Sequence, residues 1–517
     1  MIESIFAVIA AVCVGTAILD RPGRRRSSAM VVALILAPAL IAGDQWQATQ
    51  LAELRDSPAL LLLALAAGGV LVLALALLMR RLPVLLPVLV LIALPFRVPL
   101  AVGGEDNNLL LPLYLVMAAG VLLLAFHEWK GLRGLTGSRQ TDPGPDRSPA
   151  GVASWLKPLL ALSVLLYALG LFWSDDQSEG LLNFCFFLVP FALVFVLMLE
   201  VEWDRATLRA ALFTVIGLAL VCAVVGFYQY EARELFRNEV VMRSNDFHVY
   251  FRVNSLFWDP NVYGRYLALA ITAVSAALLW VRNLRDGLAL AALSGVLWLA
   301  LIGTFSQSSF IALLAALAVL VALRWSLKLV LGGIGALAVV TLLLGVFAGG
   351  LVKLDLDRLN PQTAGRADLV SGGIDLFADR PVAGYGSGSF SLSFREHVSG
   401  PDAPVTESHT EPITVAAEQG LIGLALYLAL IVSSLVALSA GMRSIMPGLG
   451  AGPVDPDRSG PSGRGPPVAA RAAILASYVA VLIHTLTYAG YLDDPVTWVL
   501  IAIGYSLAFP CRATSAA

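Results

Sequence analysis

The sequence predicts an all-α polytopic membrane protein of about 12–15 transmembrane helices with one large outer loop carrying short helices. Two observations carry that expectation. Of 517 residues, 58% are hydrophobic and only 14% charged, against roughly 25% charged in a typical soluble chain, and the mean hydropathy is +0.81. The apolar residues also run on for about 17–25 positions at a time, the length at which a helix crosses the hydrocarbon core. A transmembrane β-barrel would instead show alternating strands of roughly ten residues. A soluble enzyme of this length would need far more polar surface, and a disordered chain far less apolar content.

The runs read in order as spans near 2–19, 27–43, 58–79, 82–100, 108–127, 156–172, 181–200, 207–228, 261–281, 286–303, 307–323, 326–349, 413–440, 472–490 and 495–510. Arg21 and Arg24 to Arg26 follow the first run. A secretory signal carries its positive charge ahead of the apolar stretch, so this run is read as a retained span. The polar segments 131–155 and 444–470 are rich in Gly, Pro, Ser and Arg and read as flexible linkers. The chain accordingly divides into N-terminal spans 1–228, a first outer loop 229–260, central spans 261–349, a large outer loop 350–411 and C-terminal spans 412–517.

Cytoplasmic connections of membrane proteins are enriched in Lys and Arg. With the N-terminus outside and the C-terminus inside, alternate connections hold 22 of the 34 basic residues. The outer side holds the remaining 12, and ten of these gather in or beside 229–265 and 350–411. Charge that topology disfavours, collected where the outer loops are longest, marks a candidate site. Arginine there suits phosphate or diphosphate, because its planar fork pairs bidentately with phosphate oxygens and never loses its charge. Solvation or contact with lipid headgroups is the plainer account of the same residues. The net charge of −2 gives no sign of a nucleic-acid partner. Cys13, Cys185, Cys222 and Cys511 are scattered, so no disulfide framework or zinc site is suggested.

Within the first loop, Asp259-Pro260-Asn261 is helix-start chemistry, since Asp or Asn can cap and Pro fits the first turn. Arg252 and Arg265 flank that helix mouth, and a helix N-terminus beside two arginines attracts an anion. In the second loop Leu369, Val370, Ile374 and Phe377 recur at helical spacing, predicting a short amphipathic helix on the membrane surface. It is followed by Arg380 and the run Gly384-Tyr-Gly386-Ser-Gly388, which permits close backbone approach to a ligand or simply a turn. Asp355-Leu-Asp357 is a pair that could hold a divalent ion or be ordinary loop charge. The loop closes on Ser408-His409-Thr410 and leads to Glu418 and Gly420. His409 at a helix mouth can act as a general base or merely cap the turn. Glu418 is read as a supporting residue, and the intramembrane His484 as a packed, hydrogen-bonded one.

Four segments together resemble the O-antigen ligase and O-antigen polymerase superfamily. They are Arg252 with Phe257-Trp-Asp259-Pro260-Asn261, the hinge Thr304-Phe-Ser306-Gln-Ser308-Ser309, Gly365-Arg366 with Pro381 to Gly386, and His409 with Glu418-Gln-Gly420-Leu-Ile-Gly423. The likeness spans about residues 245–440. It implies a metal-independent, inverting membrane glycosyltransferase without a cofactor, in the bacterial cytoplasmic (inner) membrane with its site on the outer face. Its partners would be an undecaprenyl-diphosphate-linked glycan donor, a lipid-borne glycan acceptor and membrane lipid. Carried over by position, Arg252 and Arg366 match arginines that hold the diphosphate; the loop charge adds Arg265 and Arg380 as candidate diphosphate-binding residues. His409 and Arg366 are catalytic, with Asn261 and Glu418 in support. The family often has His-Asn where this chain has His409-Thr410, and Ser-Arg where it has Ser306-Gln307. Ligase, exopolysaccharide polymerase and protein glycosylation all remain open on this evidence. A transporter of lipid-linked glycans is the reading from a different class, disfavoured by the scarcity of mid-span charge.

The orientation is testable by labelling single cysteines placed in a cysteine-free background. Residues of 229–258 are expected to react with a membrane-impermeant maleimide on intact cells, and residues of 444–470 only after permeabilisation.

Overall fold

The computed structural model describes residues 1–44, 57–102, 105–132, 134–135, 149–236, 238–246, 250–333, 335, 366–400, 408–446, 449, 467–488 and 490–510. Among them twelve helices are long and apolar enough to cross a membrane. In chain order the elements are α1 (Ile2–Leu19), α2 (Arg24–Asp44), α3 (Pro58–Arg81), α4 (Leu85–Ala93), the hairpin β1 (Val98–Val102) and β2 (Glu105–Leu109), α5 (Leu111–Trp129), α6 (Leu156–Gly170) and α7 (Gln177–Leu199). There follow α8 (Arg205–Ala232), α9 (Glu239–Asp246), α10 (Pro260–Trp280), α11 (Leu284–Thr304), α12 (Gln307–Arg324), α13 (Arg366–Asp379), α14 (Glu411–Ser439), α15 (Val468–Thr485) and α16 (Pro495–Ala508).

Polar side chains start several of these helices. Asp176, Asp204, Asp259, Asn283, Ser306 and Asp494 each accept a backbone N–H from the first turn, satisfying donors that have no partner within the helix. At Asp204 the Thr207 N–H holds the carboxyl below its ordinary pKa. Proline follows the cap in α10 and α16, where its missing N–H costs nothing.

Side-chain contacts sort the helix ends into two layers. At one end Arg26 meets Glu128 and Glu200, tying the α1–α2 turn to the ends of α5 and α7. Arg80 lies over Phe126, Arg324 donates to the Leu279 carbonyl, Arg471 to that of Ala440, and Lys157 lies over Tyr505. At the other end Gln177 donates to Ser4, Ser178 to Asp44, Gln229 to the Ser255 carbonyl, and Arg265 pairs with Asp494. The chain alternates between these layers as the spacing of basic residues predicted, and the N-terminus shares its layer with the candidate site residues.

Two expected spans differ. Residues 82–100 form only the nine-residue α4 before the hairpin. Its prolines and the antiparallel pairing of Val98 with Leu109 shorten the helix. Arg80 at the end of α3 still reaches Phe126 near the end of α5, so the two helices run parallel and the segment between them changes layer. The expected span 326–349 falls mainly outside the described residues, but Arg324 and Arg380 on either side of it stand in opposite layers. Asp355 and Asp357 also lie outside the described residues.

Two apolar cores hold the bundle. The larger joins α1, α2, α5, α6, α7 and α14 to α16, with Phe191, Phe195, Tyr478 and Trp498 fully buried. The smaller joins α8, α10 and α11 to the loop 250–259 through Phe251, Val253, Phe257 and Tyr263. The helix predicted from Leu369 to Phe377 is α13. It packs through Leu376 on Tyr385, Phe390, Phe394 and Ala417, while Ile374 stays exposed.

The buried Arg26 cluster makes a stability prediction. Removing one member of a buried ion pair strands the others and costs about 3–5 kcal/mol. Arg26→Met is therefore expected to lower the melting temperature in detergent, and adding Glu128→Gln and Glu200→Gln to restore much of it.

Candidate active site

The site is built where α10, α11, α12 and α15 meet. Phe251 and Val253 are buried in the smaller core, while the residue between them is not. That residue is Arg252, half-buried, whose main chain is held on both sides by the Asn245 amide at 3.0 and 3.1 Å. Its Nε donates to the Thr304 carbonyl at 3.1 Å and its Nη2 to Asn261 Oδ1 at 3.2 Å. Asn261 opens α10 under the Asp259 cap, and its Oδ1 also accepts Ser306 Oγ at 2.9 Å.

Ser306 follows Phe305, which ends α11 in the left-handed region at φ +48° and stacks on Tyr250 with ring centroids 4.6 Å apart. Such a backbone costs a bulky residue of order 1–3 kcal/mol, and residues held this way cluster at functional sites. The sharp reversal brings Ser306, Ser308 and Ser309 together, with Oγ separations of 3.0 and 2.8 Å from Ser306. Ser309 donates to the Asn261 carbonyl at 3.2 Å. His484, wholly buried in the last turn of α15, places Nε2 at 3.3 Å from Ser308 Oγ. Its ring then meets Tyr488 at 5.7 Å, and Tyr488 meets His409 at 6.0 Å.

His409 stands at the mouth of α14 at φ +57°. Ser408 fixes the turn by accepting the Thr410 N–H at 3.0 Å and donating to the Thr410 carbonyl at 2.7 Å. Glu411, the first residue of the helix and buried, accepts the Gly490 N–H at 2.7 Å, anchoring this mouth to the segment after α15.

A second assembly surrounds the glycine-rich loop. Tyr385 and Gly386 donate to the carbonyls of Ala417 and Glu418 at 3.0 and 2.8 Å, and Leu421 donates to that of Pro381 at 2.8 Å. This pairing breaks α14 at Gly420, whose φ of +62° with ψ of −157° suits glycine alone. Both Glu418 oxygens accept loop N–H groups, from Gly388 at 3.1 Å and Phe390 at 3.2 Å. The glycines admit the protein's own backbone: a Cβ on Gly386 would lie 2.2 Å from Ser174 Cα. Arg380 lies 4.0 Å above the Tyr385 ring and 3.4 Å from Asp175. Burial, then Asp379 as hydrogen-bond acceptor, pushes the Tyr385 phenol up to about 12, so it stays a donor. Beside Glu411 and Glu418 lies a cavity of about 150 Å³ lined also by Glu179, Asn183, Thr414 and Asp493. That is ample for ordered water, which needs roughly 10–15 Å³ and polar partners.

The structure thus brings Arg252, Asn261 and the hinge serines together and reaches His409 through Tyr488. Glu418 and Arg380 belong to the second assembly, around the glycine-rich loop. Arg366 opens α13, with its side chain outside the described residues. Arg265 is 6% exposed and ion-paired with Asp494, so its charge is already taken up and it braces α10 against α16. Asp494 and Glu411 lie 229 and 79 residues from their partners, beyond the reach of any local pattern. The clearest signal for His484 was its position as an ionisable residue within an apolar run. Among the described residues no group of His, Cys, Asp and Glu is arranged to hold a metal ion.

Residues 288–428 match the sequence model of the O-antigen ligase family. The match covers the serine hinge, Arg366, Arg380, His409 and Glu418, and leaves Arg252, Asn261 and His484 outside it. No curated protein matches the chain.

Gly420 tests how the two assemblies are joined. Gly420→Ala meets a backbone region costing about 1–3 kcal/mol and a contact of 2.3 Å to the Val382 carbonyl. It is expected to lower thermal stability measurably while leaving membrane insertion intact.

Proposed function

We propose that this member of the O-antigen ligase superfamily moves a glycan from undecaprenyl diphosphate onto a lipid-borne acceptor, at the outer face of the bacterial cytoplasmic membrane. The observation that carries the reading is the polar string from half-buried Arg252 through Asn261, Ser306, Ser308 and His484 to Tyr488, which ends beside His409. It lies at helix mouths in the layer that holds the N-terminus, so the polyprenyl tail can stay in lipid while the sugars stay in water.

The chemistry follows from the groups available. The acceptor hydroxyl oxygen attacks the anomeric carbon, the bond from that carbon to the diphosphate oxygen breaks, and configuration inverts. His409 takes the hydroxyl proton, and undecaprenyl diphosphate leaves with the bonding electrons. Arg252, Arg366 and Arg380 neutralise the charge that grows on the leaving diphosphate, with Arg265 bracing the helix mouth behind them. Asn261 holds Arg252, and Glu418 holds the glycine loop beside Arg380. No covalent enzyme intermediate is needed. The chain's Gln307, where the family often has arginine, places more of that neutralisation on the remaining arginines.

In proteoliposomes supplied with lipid-linked donor and acceptor, His409→Ala is expected to slow transfer roughly 10²–10⁴-fold, the usual worth of a positioned base. Arg366→Ala is expected to slow it about 10²–10³-fold, the worth of one electrostatic donor. Full activity in both variants, with normal insertion, overturns the assignment. A deletion strain separates the two acceptor classes: unattached polymer on the carrier marks a ligase, and single repeat units on the carrier mark a polymerase.

A further inference from the structure

We infer that His484 is a positioning residue that orients Arg252 through the serine hinge. The inference rests on the reading of Arg252 as a holder of the donor diphosphate. His484 comes from α15, Ser308 and Ser309 from α12, and Asn261 from α10, so three helices distant in sequence converge on one string of hydrogen bonds. Asn261 Oδ1 receives two donors, Arg252 Nη2 at 3.2 Å and Ser306 Oγ at 2.9 Å. The Ser306 proton is thereby committed to Asn261. Ser309 gives its proton to the Asn261 carbonyl at 3.2 Å, and Ser308 can give its own to Ser306 at 3.0 Å. With a proton on Nε2, His484 donates to the oxygens of Ser308 and Ser309 at 3.3 and 3.5 Å, and every hydroxyl in the string is satisfied.

Each of these hydroxyls rotates freely until a neighbour fixes it. His484 supplies the donor at one end of the string, and the other end meets Nη2 of the Arg252 guanidinium, whose Nε is anchored on the Thr304 carbonyl. Ser306, Ser309 and His484 are fully buried, so water does not compete to reorient them. A large aliphatic residue at 484 fills the space and leaves the serine oxygens without their donor. The hydroxyls then turn, Ser306 no longer commits its proton to Asn261, and the amide is free to swing away from Arg252. Misplacing a charge that meets the reacting diphosphate by about 1 Å costs on the order of 10²-fold in rate.

The test is a double-mutant cycle on the full chain in proteoliposomes, with His484→Leu, His484→Gln, Arg252→Ala and the double variant His484→Leu/Arg252→Ala. Two readouts are taken: the thermal shift produced by undecaprenyl diphosphate, and kcat and KM for glycan transfer. His484→Leu is expected to lower kcat/KM for the donor about 10²-fold and to weaken the undecaprenyl diphosphate shift. Adding it to Arg252→Ala is expected to cost nothing further. His484→Gln, which keeps an N–H donor near the Nε2 position, is expected to recover most of the loss. Should His484→Leu fail to insert, Ser308→Ala with the same Arg252→Ala partner takes its place in the cycle. Losses that multiply independently, or glutamine no better than leucine, overturn the positioning role and leave the site intact. An undecaprenyl diphosphate shift unchanged in Arg252→Ala overturns the diphosphate reading itself, and this inference with it.

Discussion

Hydrocarbon offers a polar group no water, so each donor and acceptor within a bilayer has to find its partner inside the protein. The arrangement of this chain follows from that demand. Arg26 is buried because Glu128 and Glu200 converge on it from two other helices. Arg265 is buried because Asp494 caps the next helix within reach. Among the described residues many other polar side chains gather at helix ends, where caps and carbonyls complete them, and those within helices, such as Thr272 and Ser163, donate to a carbonyl one turn back. Two polar layers with an apolar slab between them result. The layer containing the N-terminus also collects Arg252, the serine hinge, His409 and the glycine loop.

Within that layer the site is preorganised by backbone devices rather than by one dominant contact. Phe305 and His409 both adopt left-handed backbone, at φ +48° and +57°. One sets the reversal from α11 to α12, and the other sets the approach to α14. The break in α14 at Gly420 admits the 381–388 loop into pairing with 417–421. Glu418 then closes that loop by accepting two of its N–H groups. Strain at each place is offset by contacts on all sides, the condition under which an active site keeps its geometry through the reaction. Cations stand at the candidate site, as Arg252 and Arg380 do, while Glu179, Glu411, Glu418 and Asp493 line the neighbouring cavity.

A large part of the fold was legible in the sequence because the bilayer imposes a length and a polarity that composition reports directly. Spans such as Ile2–Leu19 and Pro260–Trp280 fall where the apolar runs lie. The alternation of layers follows the basic residues between them. Where prolines and a hairpin shortened a run, as at Leu85–Ala93, apolar content alone was misleading, because a hydrophobic stretch reports burial and not helix length. The helix cap at Asp259 was equally readable, since capping is a local interaction. The glycine run was ambiguous between ligand and turn, and it turned out to admit the protein's own backbone at Ser174 and Glu418.

The sequence by itself determined the class of protein and most of the apolar helices that run between the two layers. These follow from hydrophobicity, charge and spacing, which act over one helix or one connection. Only the tertiary structure decided which of their residues meet. His484 is 175 positions from Ser309, and Arg265 is 229 from Asp494. Their pairing depends on how α15 and α16 lie against α10 and α12. Such contacts arise from side-chain packing among helices whose individual sequences, apolar all round, carry no record of their neighbours.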